Sequence, residues 1–393
     1  MSDCKNCERC FGKPCHLRIC LPCSRQTAIS CIATLFYYQD NKLILNLVLF
    51  GCGCLSELWV AGEQKSQLLT EMGYAVIWRI EDIYYPLLTA FGILVNLVAI
   101  VILSRGRCGL SKCITRYLVG MAAADLLVIF SDPLLRQTAG IYFPHSFLTI
   151  TPVCRLIFWL VFAFTAVSVW LTVAFTVDRF VNICHEQLKT KYCTERTAAF
   201  VIGTVSGLCF AETVPWYISR GPSQFIDNIP WGCVTKQSFL LAPAWAAFQI
   251  FHRILTPGVP FILILFLNIL TVRQILAASG VRRRLRSRSN GETVRDPEIE
   301  NRRKSIVLLF SITGSFILLW VTQVVFYIYR RLAKAFTYSV DDPRYVTERI
   351  SIMLQLLSSC ANTCIYAVSQ RKFREELKNA VKYPLCRIMK FAE

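Results

Sequence analysis

The fold is decided by one apolar stretch, Cys154-Arg-Leu-Ile-Phe-Trp-Leu-Val-Phe-Ala-Phe-Thr-Ala-Val-Ser-Val-Trp-Leu-Thr-Val-Ala-Phe-Thr-Val-Asp-Arg-Phe180. It begins with a cysteine and ends with an Asp-Arg-Phe triplet, and Arg179 follows Cys154 by 25 residues. A helix rises about 1.5 Å per residue, which separates these two residues by roughly 37 Å. Because the hydrocarbon core of a bilayer is about 30 Å thick, this helix reaches both faces of a membrane.

The composition of the whole chain indicates a membrane protein. Of 393 residues, 54% are hydrophobic and 17% are charged, and the mean hydropathy is +0.46, whereas about a quarter of the residues in soluble domains are charged. Seven apolar runs are long enough to span a bilayer: Ile83 to Leu103, Tyr117 to Ile141, Val153 to Val177, Ala198 to Tyr217, Leu240 to Val272, Ile306 to Tyr329 and Ile350 to Val368. A weaker run covers Leu43 to Ala61. Since each span must satisfy its own backbone in hydrocarbon, we predict an all-α bundle of seven transmembrane helices.

The formal net charge of +18 is concentrated in alternate connections. The basic residues are Arg105, Arg107, Lys112 and Arg116 after the first span, Lys189, Lys191 and Arg196 after the third, Arg282 to Arg288 and Arg302 to Lys304 before the sixth, and Arg371, Lys372, Arg374 and Lys378 after the seventh. Positive charge marks the cytosolic side of membrane proteins. The pattern therefore predicts a cytosolic C-terminus and an extracellular segment before the first span, and it argues against nucleic acid as the partner.

Residues 1 to 81 differ from the rest, because nine of the 19 cysteines lie before Leu55. Cys4, Cys7 and Cys10 have the spacing of a metal knuckle. Two other interpretations are a disulfide-bonded extracellular cap and an upstream stretch of sequence that is wrongly joined to the true protein. The composition leaves these alternatives open.

Two polar residues lie inside predicted spans, Asn96 in the first and Asp125 in the second. An aspartate in hydrocarbon costs about 2.5 to 3.5 kcal/mol on an insertion scale, so Asp125 should face the bundle interior. It could make a structural hydrogen bond between helices or form an ion or proton site, and we favour the second.

Both ends of the bundle carry cysteines of interest. Cys154 and Cys233 lie on the outward face in this topology, and a disulfide between them would hold the second outer loop over the bundle. Residues 370–393 begin with an amphipathic pattern that predicts an eighth helix along the inner leaflet. Cys386 follows it as either a palmitoylation site or a free thiol.

The order of motifs resembles the rhodopsin-like (class A) family of G protein-coupled receptors. The motifs are Asn96, Asp125, Cys154 with Asp178-Arg179-Phe180, Pro260 in the fifth span, Phe316-x-x-x-Trp320 in the sixth and Asn362-x-x-x-Tyr366 in the seventh. The resemblance covers about residues 82 to 385, so we expect a cysteine-rich segment at 1–81, a receptor bundle at 82–369 and the eighth helix with a short tail at 370–393. It implies a plasma-membrane receptor that activates a heterotrimeric G protein.

The resemblance also implies roles for individual residues. A pocket for a sodium ion, as an allosteric modulator, would consist of Asn96, Asp125, Ser168, Ser358, Ser359 and Asn362, whose oxygens suit a hard cation. Phe316 and Trp320 would form a packing switch. Coupling to the G protein would involve Asp178, Arg179, Phe180, Asn268 and Tyr366.

The outer half of the bundle offers a candidate ligand pocket. Its residues are Val161, Phe162, Thr165, His252, Trp320, Gln323, Tyr327 and Glu348. Val161 stands where amine receptors of this family carry an aspartate, which argues against biogenic amines. Two strings, Ile102 to Cys113 and Leu188 to Arg196, resemble the fish group described as G-protein coupled receptor 139-like. That group implies an aromatic amino-acid-like or peptide ligand and the phospholipase C-activating class of G protein.

Departures from the family pattern leave alternatives open. Thr322 and Thr363 stand where prolines are usual, so both helices keep a backbone hydrogen bond that proline would remove. An atypical or signalling-deficient receptor is one alternative, and an ion-coupled transporter around Asp125 is another, although the sequence has no internal repeat. We do not expect an enzyme, because none of the four histidines lies in H-E-x-x-H and no G-x-S-x-G occurs.

Overall fold

The computed structural model describes residues 63–185, 187–188, 192–286, 297–332 and 342–380. Seven of the described helices are long and apolar enough to cross a membrane, as the sequence predicts. Residues 1–62 of the cysteine-rich segment, including the weaker apolar run, and Cys386 lie outside the described residues, so the predictions for them stay predictions.

The helices follow the predicted order but extend beyond the apolar runs. They are α1 (Glu63–Ser104), α2 (Lys112–Ile129, Phe130–Thr138 and Ala139–Tyr142), α3 (Thr151–Cys184), α4 (Glu195–Thr213 and Pro215–Ile218), α5 (Pro243–Arg253, Ile254–Gly258 and Val259–Arg286), α6 (Pro297–Leu332), α7 (Pro343–Ser369) and α8 (residues 371–380). Two short helices, Phe147–Thr149 and Gln237–Leu241, lie in connections. Polar residues at the helix ends continue the backbone hydrogen bonding, which hydropathy does not detect.

Side-chain caps set the starts of three helices. The Ser111 hydroxyl accepts a hydrogen bond from the Ile114 amide before α2, and the Thr194 hydroxyl accepts one from Thr197 before α4. Asp342 accepts from the Arg344 amide at 2.9 Å, and α7 then opens with a proline. These groups satisfy amides that have no partner within the helix.

Two helices are irregular in the half that carries Cys154. Pro133 lies in the π-helical segment of α2. In α5, Thr256 is extended, with φ −143° and ψ 111°, directly before Pro257. The Trp170 indole nitrogen of α3 donates to the Thr256 hydroxyl at 3.2 Å. Proline removes a backbone donor, and both irregular segments line the cavity described below.

A small lid covers the end of the bundle that carries Cys154. Strands β1 (Arg220–Gly221) and β4 (Val234–Thr235) pair, as do β2 (Gln224–Ile226) and β3 (Ile229–Trp231). The predicted disulfide between Cys154 and Cys233 is confirmed, with a Cα–Cα distance of 6.1 Å. We call this end the disulfide end and the opposite one, which carries Asp178 and Arg179, the Asp-Arg end.

The largest core cluster of the described residues is formed by buried side chains of α1, α2, α3, α4 and α6, together with Tyr366 of α7 and Phe373 of α8. Phe373 is 1% exposed, which agrees with the predicted amphipathic eighth helix. A cysteine inside an apolar span is expected to pack in the core, and Cys209 and Cys360 are buried in this way. The same expectation for Cys364, in the seventh span, is wrong, because its side chain is exposed.

Close helix packing requires a small residue at Gly92. A Cβ there would lie 2.9 Å from the Cys360 sulfur and 3.0 Å from Ile129 Cδ1. Because α7 and α2 both approach this point, α1 packs against both only without a side chain.

We expect Gly92→Ala to destabilise the bundle and Gly203→Ala in α4 not to. Overpacking costs about 1–3 kcal/mol, more than the helix propensity that alanine brings. A Cβ at Gly203 meets no heavy atom within 4 Å, so only the propensity gain applies there. Thermal unfolding of detergent-purified variants measures both. A Gly92→Ala protein as stable as the Gly203→Ala protein would contradict this packing.

Candidate functional site

Asp125 is the centre of a buried polar contact among three helices. Its side chain is 1% exposed. One carboxylate oxygen accepts from the Ser168 hydroxyl of α3 at 2.6 Å, and the other accepts from the Asn362 amide of α7 at 2.8 Å. The carboxylate therefore joins α2 to both neighbours, and three of the six residues assigned to the ion pocket lie together.

Asn96, Ser358 and Ser359 make different contacts. The Asn96 amide donates to the carbonyl oxygens of Gly92 and Ser359, both at 2.9 Å, and joins α1 to α7. Its buried Oδ1 has no hydrogen-bond donor among the described residues. The Ser358 hydroxyl contacts Trp320 instead of Asp125, accepting from the indole nitrogen at 3.0 Å. A role for Ser358 in an ion pocket stays a prediction.

Trp320 links the centre of the bundle to a cavity at the disulfide end. Its ring lies 5.3 Å from that of Phe316, and both side chains are buried. On its other side Trp320 lines a cavity of about 230 Å³. A molecule in this cavity would contact a residue that hydrogen-bonds α6 to α7.

The cavity collects nearly all predicted pocket residues. It is lined by Val161, Phe162, Thr165, His252, Trp320, Gln323 and Glu348, together with Arg253. Tyr327 lines a neighbouring cavity of about 200 Å³ instead. The sequence interpretation missed Asp132, Arg136 and Arg220, which line the same cavity. Asp132 and Arg136 form an ion pair with a distance of 2.6 Å.

His252 lies in an aromatic cage with an acidic partner. Its Nδ1 is 2.9 Å from a Glu212 carboxylate oxygen of α4. The rings of Phe162 and Trp216 stack at 4.0 Å, and both contact the imidazole edge-on. Glu212 is the one carboxylate in the fourth predicted span, a signal that could have singled it out. His252 is therefore held in place and buried, with 3% exposed.

Arg349 follows Glu348 directly in the chain but does not line the described cavities. It forms an ion pair with Glu81 of α1, and its Nη2 lies 3.4 Å from the Tyr85 hydroxyl. Neighbouring Glu348 faces the cavity and pairs with Arg330 of α6 at 2.9 Å. Adjacent residues of a helix point in different directions, so Glu348 and Arg349 reach different surroundings.

At the Asp-Arg end, the predicted coupling residues form separate contacts. Arg179 is fully buried and paired with Asp178, whose other oxygen accepts from the Cys113 thiol at 3.1 Å. Phe180 lies beside His185, with ring centroids 5.4 Å apart. The Asn268 amide donates to the Thr313 hydroxyl at 2.8 Å.

Tyr366 is the remaining coupling residue, and its hydroxyl is buried without a partner among the described residues. Its ring contacts Phe373 of α8. The sequence did not predict that the Cys113 thiol would donate to Asp178, because only the position of Cys113 near the start of the second span could have pointed to it.

These features define a class of membrane protein. The seven-helix bundle has a cavity at one end, the buried ion pair of Arg179 and Asp178 at the other, and the polar contacts of Asp125 between them. This arrangement suits the transmission of a change in helix packing rather than covalent chemistry. The chain belongs to the family described as 7 transmembrane receptor (rhodopsin family), whose model matches residues 95–366. It is therefore a multi-pass G protein-coupled receptor and not an enzyme, as the sequence predicts.

Several known receptors are similar to this chain at low identity. Growth hormone secretagogue receptor type 1 of Homo sapiens is 23% identical over 292 residues, covering 72% of this chain and 75% of the relative. Sex peptide receptor of Drosophila melanogaster is 24% identical over 323 residues, covering 75% and 70%. Somatostatin receptor type 4 of Rattus norvegicus is 22% identical over 339 residues, covering 84% and 79%. The finer resemblance to the 139-like group stays a prediction.

We expect Arg349→Gln to cost about 3 kcal/mol, because it leaves Glu81 charged and 7% exposed without its partner. The double variant Glu81→Gln/Arg349→Gln should recover much of that loss. Arg330→Gln is the matched control, since its ion pair is 28% exposed on both sides and should contribute less than about 1 kcal/mol. Thermal unfolding measures all three. If the double variant lost as much stability as the sum of the two single variants, the proposed coupling between Glu81 and Arg349 would be contradicted.

Proposed function

We propose that this receptor lies in the plasma membrane with its disulfide end outside, binds a peptide that carries an aromatic group, and activates a heterotrimeric G protein from its Asp-Arg end. The observation that carries the proposal is Trp320, which lines the cavity and hydrogen-bonds to Ser358 of α7. The basic connections support the orientation, and a disulfide requires an oxidising compartment.

A peptide ligand suits the chemistry of the cavity. Aromatic rings of Phe158, Phe162 and Trp216 lie near charged groups of both signs. Asp132 and Glu348, the carboxylates that could attract an amine, are already paired with Arg136 and Arg330. Relatives named as receptors for sex peptide and somatostatin support the same ligand class.

During activation, α6 and α7 would each move as a continuous, rigid helix. Thr322 and Thr363 lie inside α6 and α7, which run without a break over Pro297–Leu332 and Pro343–Ser369. Displacement of Trp320 by a ligand would strain its bond to Ser358, and the released Arg179 would meet the G protein. Shifting a 99:1 resting population to the reverse requires about 5.5 kcal/mol of differential ligand affinity.

The ligand and coupling proposal can be tested in cells expressing the full chain. We expect calcium release on exposure to tryptophan, phenylalanine or short aromatic peptides, because the proposed G protein class activates phospholipase C. Arg179→Ala should abolish the response at equal surface expression. Silence of the surface-expressed receptor would overturn this ligand and coupling, and a response that survives in Arg179→Ala would overturn the role of the arginine.

We also propose that sodium binds beside Asp125 and stabilises the resting packing. The donor set fits, because the carboxylate, the Ser168 hydroxyl and the unpartnered Asn96 oxygen offer the oxygen ligands that a hard cation prefers. Sodium would supply a compensating charge to the buried carboxylate.

Replacing choline chloride by sodium chloride should raise the unfolding temperature of the purified receptor. The gain is about 1.4 kcal/mol when sodium is at roughly ten times its Kd. Asp125→Asn should remove the difference between the two salts, while Asp132→Asn, in the cavity, should retain it. An unchanged sodium effect in Asp125→Asn would exclude this site.

A further inference from the structure

Arg220 lies where three cavities of the disulfide end meet. It begins β1, directly after α4. The cavities have volumes of about 210, 230 and 200 Å³, and all three are lined by Arg220 and Phe158. Each alone is smaller than the roughly 300–1,000 Å³ of drug-sized ligand pockets. A ligand that occupies more than one of them would pass the guanidinium.

The Arg220 guanidinium is held in place but has no counter-ion among the described residues. Its carbon lies 3.6 Å from the centre of the Phe158 ring, and Nη1 donates to the Thr235 hydroxyl at 2.7 Å. The buried Nε has no acceptor, and no carboxylate of the described residues pairs with Arg220. The protein thus fixes one face and one nitrogen of the Arg220 guanidinium, and no described carboxylate compensates its charge.

Positive charge exceeds negative charge around the same cavities. Four arginines line them, Arg136, Arg220, Arg253 and Arg330, against the two carboxylates of Asp132 and Glu348. Each carboxylate is already paired with an arginine other than Arg220. Burial, with a smaller contribution from Arg136, lowers the pKa of Arg220 to about 10, so it stays charged at neutral pH.

We propose that Arg220 is an anion subsite that binds a carboxylate of the ligand. Arg220 is half-buried, and a cation that is partly removed from water without a carboxylate partner is costly. A carboxylate in charge-assisted contact with the guanidinium offsets that cost. Trp216 and Phe239 line the cavity next to Arg220, where they would receive an aromatic side chain close to the carboxylate. The inference rests on the proposed peptide ligand and specifies its chemistry. The carboxylate is either the C-terminus of the peptide or an acidic side chain.

The test compares probes that differ in their carboxylate. Thermal unfolding of the purified full chain is followed with N-acetyl-tryptophan, with N-acetyl-tryptophanamide, and with N-acetyl-glutamyl-tryptophanamide, which carries only a side-chain carboxylate. We expect N-acetyl-tryptophan, N-acetyl-glutamyl-tryptophanamide, or both to stabilise the receptor. The concentration required should be lower, by a factor of about ten or more, than that of the neutral N-acetyl-tryptophanamide. Whichever acid is preferred identifies the source of the carboxylate.

Variants at Arg220 then assign the effect. Arg220→Gln should remove the preference for the acid, and Arg220→Lys should keep part of it because the charge remains while the planar stacking is lost. Arg155→Gln is the matched control, since Arg155 is an arginine beside the disulfide that lines none of the three cavities. It should keep the full preference.

The proposal is overturned if both acids act like the neutral amide on the wild-type receptor, or if the preference survives in Arg220→Gln. This binding assay does not depend on signalling. If the acidic probes stabilise the receptor only when Arg220 is present, but the receptor does not signal in cells, the anion subsite is supported and the proposed signalling function is rejected. If the receptor signals but acidic and neutral probes stabilise it equally, the signalling function is supported and the subsite is rejected.

Discussion

The structure depends on one constraint, that a polar group buried in hydrocarbon must have a partner. Asp125 meets it through Ser168 and Asn362, on helices far from it in sequence. Its carboxylate therefore specifies how α2, α3 and α7 approach one another. Because moving any of these helices would remove at least one donor from the carboxylate, the contact stabilises this arrangement of the three helices.

One short segment of α7 receives the contacts of three other helices. Ser358 accepts from Trp320 of α6, the Ser359 carbonyl accepts from Asn96 of α1, and Asn362 donates to Asp125 of α2. Since α7 has no proline here, its backbone hydrogen bonding continues through the segment. A displacement at Trp320 would thus be transmitted by a stiff helix toward Tyr366 and the Asp-Arg end.

The disulfide end is organised by charge. The Cys154–Cys233 bond holds the strands of the lid near the start of α3, and Arg220 of that lid meets Phe158 and the cavity residues. The ion pairs Asp132–Arg136 and Glu348–Arg330 compensate most of the charges that face the cavities. The net charge of the side chains that line the cavities is positive, and aromatic rings surround them, which distinguishes the pocket from one built for a cationic amine.

The sequence by itself determined the seven spans, the family motifs, the disulfide and seven of the sixteen residues that line the cavity, because hydropathy and motif order can be read along the chain. Tertiary structure alone decided which polar groups meet. Glu81 pairs with Arg349 across 268 residues, Glu212 with His252, and Ser358 with Trp320 rather than Asp125. The reason is physical: the direction in which each side chain points depends on helix rotation and local irregularity, such as those at Pro133 and Thr256, and these are set by packing between helices.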